Sequence, residues 1–198
     1  MTSVIVPFRG ADPKRRLDPL DRLTRTTLAA AMLADVLEAA AAVGPVLVVA
    51  AEAPPLPRDV GLVADPRRGL GAAVRAALDV ARDRPLQPPF LVVNADLPCA
   101  TARDLLALAG AVPEGGLALV AAADGTTNAL ALSSERLFEP VYGPGSAARF
   151  AALAECRQLD APNLRDDVDT VADLARVARR TGMYTRRVLP SLRLGAAA

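Results

Sequence analysis

Histidine is missing from all 198 residues of this chain, and tryptophan with it. Without imidazole there is no Ser-His or Cys-His triad, no ordinary zinc centre and no side chain that shuttles protons near neutrality at its usual pKa. Aromatic residues supply only 3% of the sequence although 52% of it is hydrophobic, so the core must be aliphatic, in the manner of helices laid on a sheet. Two cysteines, Cys99 and Cys156, form no metal-binding spacing. With no secretory signal and no apolar run near the ~20 residues that cross a bilayer, they are expected to be reduced thiols of a cytoplasmic protein with no membrane partner. A formal net charge of +1 provides no global basic field, which argues against nucleic acid as a partner.

What is present is a repeated exchange of short β-branched runs and helical periodicities. Ser3 to Phe8 predicts a first strand followed by a polar, basic loop from Arg9 to Arg16. Leu23, Leu28, Met32, Leu33, Val36 and Leu37 recur at helical spacing over 21–42, and Gly44-Pro45 stops that helix. Further strands are expected at 45–51, 61–65, 90–96, 117–123 and 128–133, the last two joined through the turn dipeptide Asp124-Gly125. Helices are expected at 72–83, at 101–109 behind a Thr101 cap, at 146–154, and from an Asp169 or Thr170 cap to Thr181. No period is legible after Gly182, so the organisation reads as one domain over 1–182 with a tail at 183–198. The fold class is α/β: a single domain with a mostly parallel central sheet and helices on both faces.

Two carboxylate groupings dominate the chemistry. The run Leu91-Val92-Val93-Asn94-Ala95-Asp96-Leu97-Pro98 reads as a buried strand that delivers Asp96 to the edge where parallel sheets bind ligands. Asp166-Asp167-Val168-Asp169 lies far downstream, and two such clusters meeting in space would suit a divalent cation that carries phosphates. The plainer alternatives are that Asp96 caps the next helix and that Asp169 is a cap beside Thr170.

Three other segments add ligand chemistry. The Arg9 to Leu17 loop places four cations, Arg9, Lys14, Arg15 and Arg16, where a triphosphate wants charge neutralisation, or else is a solvated basic loop. Arg67-Arg68-Gly69-Leu70-Gly71-Ala72 allows close backbone approach before a helix, or is simply a tight turn. Gly143-Pro144-Gly145-Ser146-Ala147-Ala148-Arg149 is a candidate nest for a small phosphorylated carboxylate, with Thr127 and Asn128 as neighbouring donors. Capping and turn chemistry would account for the same residues.

These blocks, in this order, resemble the guanylyltransferases that activate 2-phospho-L-lactate or phosphoenolpyruvate in synthesis of the deazaflavin coenzyme F-420. The matching stretches are Val6-Pro7, Lys14-Arg15-Arg16-Leu17, Met32 to Leu37, Asn94 to Pro98, Asp124 to Leu130, Tyr142 to Arg149 and Asp167 to Thr170, and they span residues 3–178. The resemblance implies a Rossmann-like, GT-A-like nucleotidyltransferase fold and Mg2+ held by Asp96, Asp167 and Asp169. It implies catalytic roles for Lys14, Arg16 and Asp96, and GTP near Pro7, Arg9, Gly69, Leu70, Gly71 and Ala95. The acceptor is then expected near Thr127, Asn128, Gly143, Gly145, Ser146 and Arg149. Two residues depart from the family pattern: Phe150 stands where a histidine is usual, and Gly71 where an asparagine is frequent. Other nucleotidyltransferases acting on a sugar phosphate or molybdopterin share the Asp-Leu-Pro element, and an inactive nucleotide-binding homologue would share the fold. The Ala-rich helices offer a face for a homodimer.

Overall fold

The computed structural model describes residues 2–10, 17, 20–84 and 86–192. In chain order the elements are β1 (Ser3–Phe8), α1 (Arg22–Ala41), β2 (Val46–Ala50), β3 (Val60–Ala64), α2 (Leu70–Arg82), β4 (Phe90–Val93), α3 (Ala102–Gly110), β5 (Leu117–Ala121) and β6 (Thr127–Leu132). They continue with α4 (Ser146–Ala151), β7 (Cys156–Gln158), α5 (Pro162–Arg165), α6 (Val171–Val177) and α7 (Met183–Val188). The strands form one seven-stranded sheet in the order β3-β2-β1-β4-β6-β5-β7. Strand β6 is antiparallel to both of its neighbours, and the remaining pairs are parallel.

Both faces of the sheet are covered over its central strands, as their continuous apolar runs require, while the edge strands β3 and β7 stay partly exposed. Successive side chains of a strand point to opposite faces. Val4, Val6, Val48, Leu91 and Val93 therefore meet Leu33, Val36 and Leu37 of α1 and Leu105 and Leu108 of α3 on one side. Ile5, Leu47, Val49, Val92 and Leu130 meet Val74, Ala77 and Leu78 of α2 and Phe150 of α4 on the other. A third cluster joins Leu28 and Met32 of α1 to Cys99, Val168, Leu174 and Val177.

Several sequence expectations shift. The strand expected to reach Asp96 ends at Val93; Asn94 still donates its N–H across to Asn128 O (3.0 Å), and the chain then turns, with Ala100 N bonding Leu97 O (3.0 Å). Leu23, expected on the core stripe of α1, is 77% exposed, and the packed stripe starts at Leu28. Helix α6 ends at Val177 rather than Thr181, and α4 at Ala151 rather than 154. The stretch after Gly182, in which no period is legible, forms α7. Its cap comes from a distant residue, for Asp35 of α1 accepts from Tyr184 N (2.8 Å) and Thr185 N (2.9 Å). Strand β7 and the single turn α5 were also not anticipated: β7 is a three-residue edge strand and α5 has only four residues. No helix among the described residues is long and apolar enough to cross a membrane.

Candidate active site

From β1 the chain winds outward through β2 to β3 and returns to place β4 on the other side of β1. That reversal makes the β1/β4 junction the switch point at which α/β sheets open a crevice beyond their strand ends. A cavity of about 210 Å³ lies there, lined by Pro7, Arg9, Leu70, Ala95, Asp96 and Asp169 among others.

The two acidic groupings converge at this cavity. Carboxylate oxygens of Asp96, Asp167 and Asp169 all lie within 4.8 Å of one another. The backbone makes the junction: Val168 N donates to Asp96 O (3.1 Å), while the fully buried Val168 side chain is locked in the third core cluster. With Val168 facing inward, Asp167 and Asp169 are left on either side of it beside Asp96. Burial above all, then the charge of Asp96 and that of Asp169, push the Asp167 carboxyl up to about 6, against a hydrogen bond from Asn128. Asn128 is itself oriented, donating Nδ2 to Arg165 O (2.8 Å) and accepting from Asn94 Nδ2 (3.3 Å).

The plainer readings of these acids do not hold. Helix α3 is capped by Thr101 with Asp104 in a reciprocal capping box, and α6 by Thr170 with Asp173 in another. Neither Asp96 nor Asp169 is a helix cap. Asp166, the third acid of the knot, is engaged elsewhere: Arg180 Nη2 lies 2.5 Å and Arg165 Nε 3.2 Å from its carboxylate. Burial pushes that carboxyl up, but the hydrogen bonds and charges of the two arginines outweigh it and hold it below its ordinary value. The Asp104, Asn163, Arg180 and Asp166 side chains form a relay that fastens the knot to α3 (Asn163 Nδ2 to Asp104 Oδ2, 3.1 Å; Arg180 Nη1 to Asn163 Oδ1, 3.0 Å). Sequence reasoning missed Arg165, Arg180 and Asn163, which carry no local signal of this role.

In the loop expected to face a nucleotide, Gly69 (φ +94°) turns the chain into α2, whose first turn has neither an acidic residue nor a side-chain cap. Just upstream, Arg67 adopts φ +58° and is held by Asp65, whose Oδ1 accepts from Arg67 N at 2.7 Å. A larger cavity of about 800 Å³ runs along Arg9, Arg68, Gly69, Leu70, Tyr142 and Gly143. Arg9 and Leu70 line both cavities. Gly71 is a packing position, because a Cβ there would meet Pro140 Cβ at 2.6 Å. The expected contributors Lys14 and Arg16 lie outside the described residues.

The Gly143 to Arg149 block is built differently from the nest expected of it. Thr127 Oγ1 and Ser146 Oγ bond each other at 3.1 Å, and both side chains are buried. Arg149, expected to meet substrate, turns its guanidinium back onto loop carbonyls: Nε and Nη2 to Val141 O (3.1 and 2.9 Å) and Nη1 to Pro144 O (2.6 Å). Gly143 lines the larger cavity, and Gly145 adopts the left-handed φ of +71° at the start of α4. Phe150, where a histidine was expected from the family pattern, is fully buried and packs edge-on against Tyr142 with ring centroids 5.0 Å apart.

Comparison with known proteins agrees with this architecture. A solved structure of a Desulfovibrio desulfuricans G20 protein superposes with a TM-score of 0.74 at 18% identity, over 96% of this chain and 94% of that one. The phosphoenolpyruvate guanylyltransferase of Nocardia farcinica is 35% identical over 94% of this chain and 89% of its own length. The 2-phospho-L-lactate guanylyltransferase of Haloterrigena turkmenica is 36% identical over 88% of this chain and 82% of its own. The family model described as "Guanylyl transferase CofC like" matches residues 2–196, and the chain belongs to that family.

Proposed function

We propose that this chain moves GMP from GTP to the phosphate of a small phosphorylated carboxylic acid, phosphoenolpyruvate or 2-phospho-L-lactate, releasing pyrophosphate in a step of coenzyme F-420 synthesis. The observation that carries the reading is the meeting of Asp96, Asp167 and Asp169 at the switch point, in a family whose relatives bear that activity in their names. The donor set suits magnesium: three hard carboxylate oxygens, with no thiolate or imidazole among them, match an ion shared with substrate phosphates rather than zinc. When bound, the ion would offset phosphate charge.

In this reading an acceptor phosphate oxygen attacks the α-phosphorus of GTP in line. The bond from that phosphorus to the β-phosphate oxygen breaks, and a new diphosphate linkage forms. The attacking oxygen is already anionic at neutral pH, so no proton need be removed and the absence of histidine costs nothing. Rate enhancement then comes from position and charge. Pro7, Arg9, Gly69, Leu70, Gly71 and Ala95 would seat the nucleotide, with Lys14 and Arg16 offsetting triphosphate charge. Thr127, Asn128, Gly143, Gly145 and Ser146 would form the acceptor side, where the buried Thr127 and Ser146 hydroxyls fix the backbone around them. Asn94 and Asn128 keep Asp167 in place.

Pyrophosphate release should be measured for GTP, CTP and ATP, each with phosphoenolpyruvate, phospholactate, 3-phosphoglycerate and a sugar 1-phosphate, with and without magnesium. GTP with one of the first two acids, only in the presence of the cation, is the expected active pair. Turnover of the sugar phosphate alone would overturn the reading.

A further inference from the structure

Residues 139–145 lead into α4 outside any regular element, and two of them, Gly143 (φ +111°) and Gly145 (φ +71°), adopt backbone conformations that disfavour side chains. Such a segment would ordinarily be adaptable. Here it is fastened on both flanks. On one flank Pro140 presses on α2 at Gly71, close enough that a Cβ at residue 71 would also lie 3.0 Å from Pro140 Cα. On the other, the Arg149 guanidinium forks across the carbonyls of Val141 and Pro144, with a longer bond from Nη2 to Tyr142 O (3.4 Å). Between the two flanks the Tyr142 ring is gripped by Phe150 and Phe138, at centroid separations of 5.0 and 6.2 Å. The segment so held supplies Pro140, Tyr142 and Gly143 to the larger cavity, which shares Arg9 and Leu70 with the acid-bearing one as lining residues.

We propose that Arg149 is a positioning residue for the acceptor: its fork, with Pro140 seated against Gly71, holds the 140–144 wall at the spacing an acceptor anion needs. The proposal deepens the guanylyl-transfer reading and rests on it. Its physical basis is that a wall ordered before binding spares the acceptor the entropy of ordering it. A lysine at 149 keeps the charge but presents one compact ammonium, which cannot fork across three carbonyls. Gly71 adds a further consequence. Any side chain there displaces Pro140, so a substitution on the nucleotide-side loop is felt by the acceptor.

Steady-state kinetics of R149A, R149K and G71A, varying GTP and the phospho-acid separately, test the proposal. The expected result is an acceptor KM raised ~10-fold or more in all three and, for the two Arg149 variants, kcat within about threefold with an unaltered KM for GTP. Methylguanidine should restore the acceptor KM of R149A and leave that of G71A unimproved. An R149K enzyme with wild-type acceptor KM, or an R149A enzyme that only melts earlier, would overturn it. Should R149A not fold, R149K and G71A decide. If wild type turns over neither phospho-acid, the transfer reading fails and takes this proposal with it. If wild type is active, D96A is dead and R149K is normal, the proposal alone fails.

Discussion

Asp96, Asp167 and Asp169 crowd their carboxylates within 4.8 Å, while the Tyr142 to Arg149 segment pairs two of its polar side chains within the protein, Ser146 with Thr127 and Arg149 with three carbonyls. The first region is held together against its own electrostatics, and Asp167 records the strain in a carboxyl pushed up to about 6. The second is held by bonds within the protein. The difference teaches where binding energy has to come from. On the proposed reading a cation would relieve the acid cluster, whereas the loop would only have to be met by a ligand of the right shape. The contrast repeats within one pair of neighbours, since Asp166 is neutralised by Arg165 and Arg180, whereas the ionised form of Asp167 beside it is disfavoured by burial first and by like charge second.

The strongest way to break this comparison is Asp96→Ala or Asp169→Ala. Each should lower kcat by ~10²-fold or more with the melting transition retained, because charge stabilisation is lost and no core contact is. Wild-type turnover by both under saturating magnesium would remove the metal assignment. Next is Thr127→Val, which strands the buried Ser146 hydroxyl and should cost about 1–3 kcal/mol in urea denaturation. A cost near zero would show that the pair is not structural.

The acid cluster also predicts a pH signature of definite sign. The folded Asp167 carboxyl, at about 6, lies above its ordinary 3.8, so the folded cation-free chain holds that proton more tightly than the unfolded chain does. This contribution to stability is full below pH 3.8 and is lost as pH rises through about 6. Magnesium requires the deprotonated carboxylate, so the rise in melting temperature that it produces should appear above pH ~6 and fade below it. A magnesium shift independent of pH would contradict the assignment. The smallest effect is expected at Asp166→Asn. Removing its two arginine partnerships should cost about 1 kcal/mol and leave kcat near wild type, a result that separates the structural acid from its neighbours.

Legibility in the sequence followed the range of the interactions. Strands β1, β2 and β4 and helices α1 to α3 were readable because each advertises itself locally, through continuous apolar runs, helical spacing or the Thr101 cap. Strand β7 was not, for Cys156-Arg157-Gln158 has no alternating pattern and becomes a strand only by pairing with Leu117 to Leu119. Helix α7 was equally silent, because the carboxylate that caps it belongs to Asp35, and Gly182 is required there to let that side chain approach. At the site, residue types were legible and their employment was not. Arg149 reads as a phosphate ligand in any linear view, and only coordinates show its donors turned back onto Val141, Tyr142 and Pro144.

By itself the sequence determined an α/β domain with covered sheet faces, a chemistry without imidazole and two acidic groupings at element ends, since apolar periodicity and side-chain chemistry are properties of short stretches. Which acids come together was decided by the tertiary structure. A single backbone bond from Val168 to Asp96, secured by burial of the valine side chain, brings two remote segments into register and turns Asp167 and Asp169 toward one another's charge. Contacts of that range depend on how helices pack behind the sheet, which no local pattern encodes.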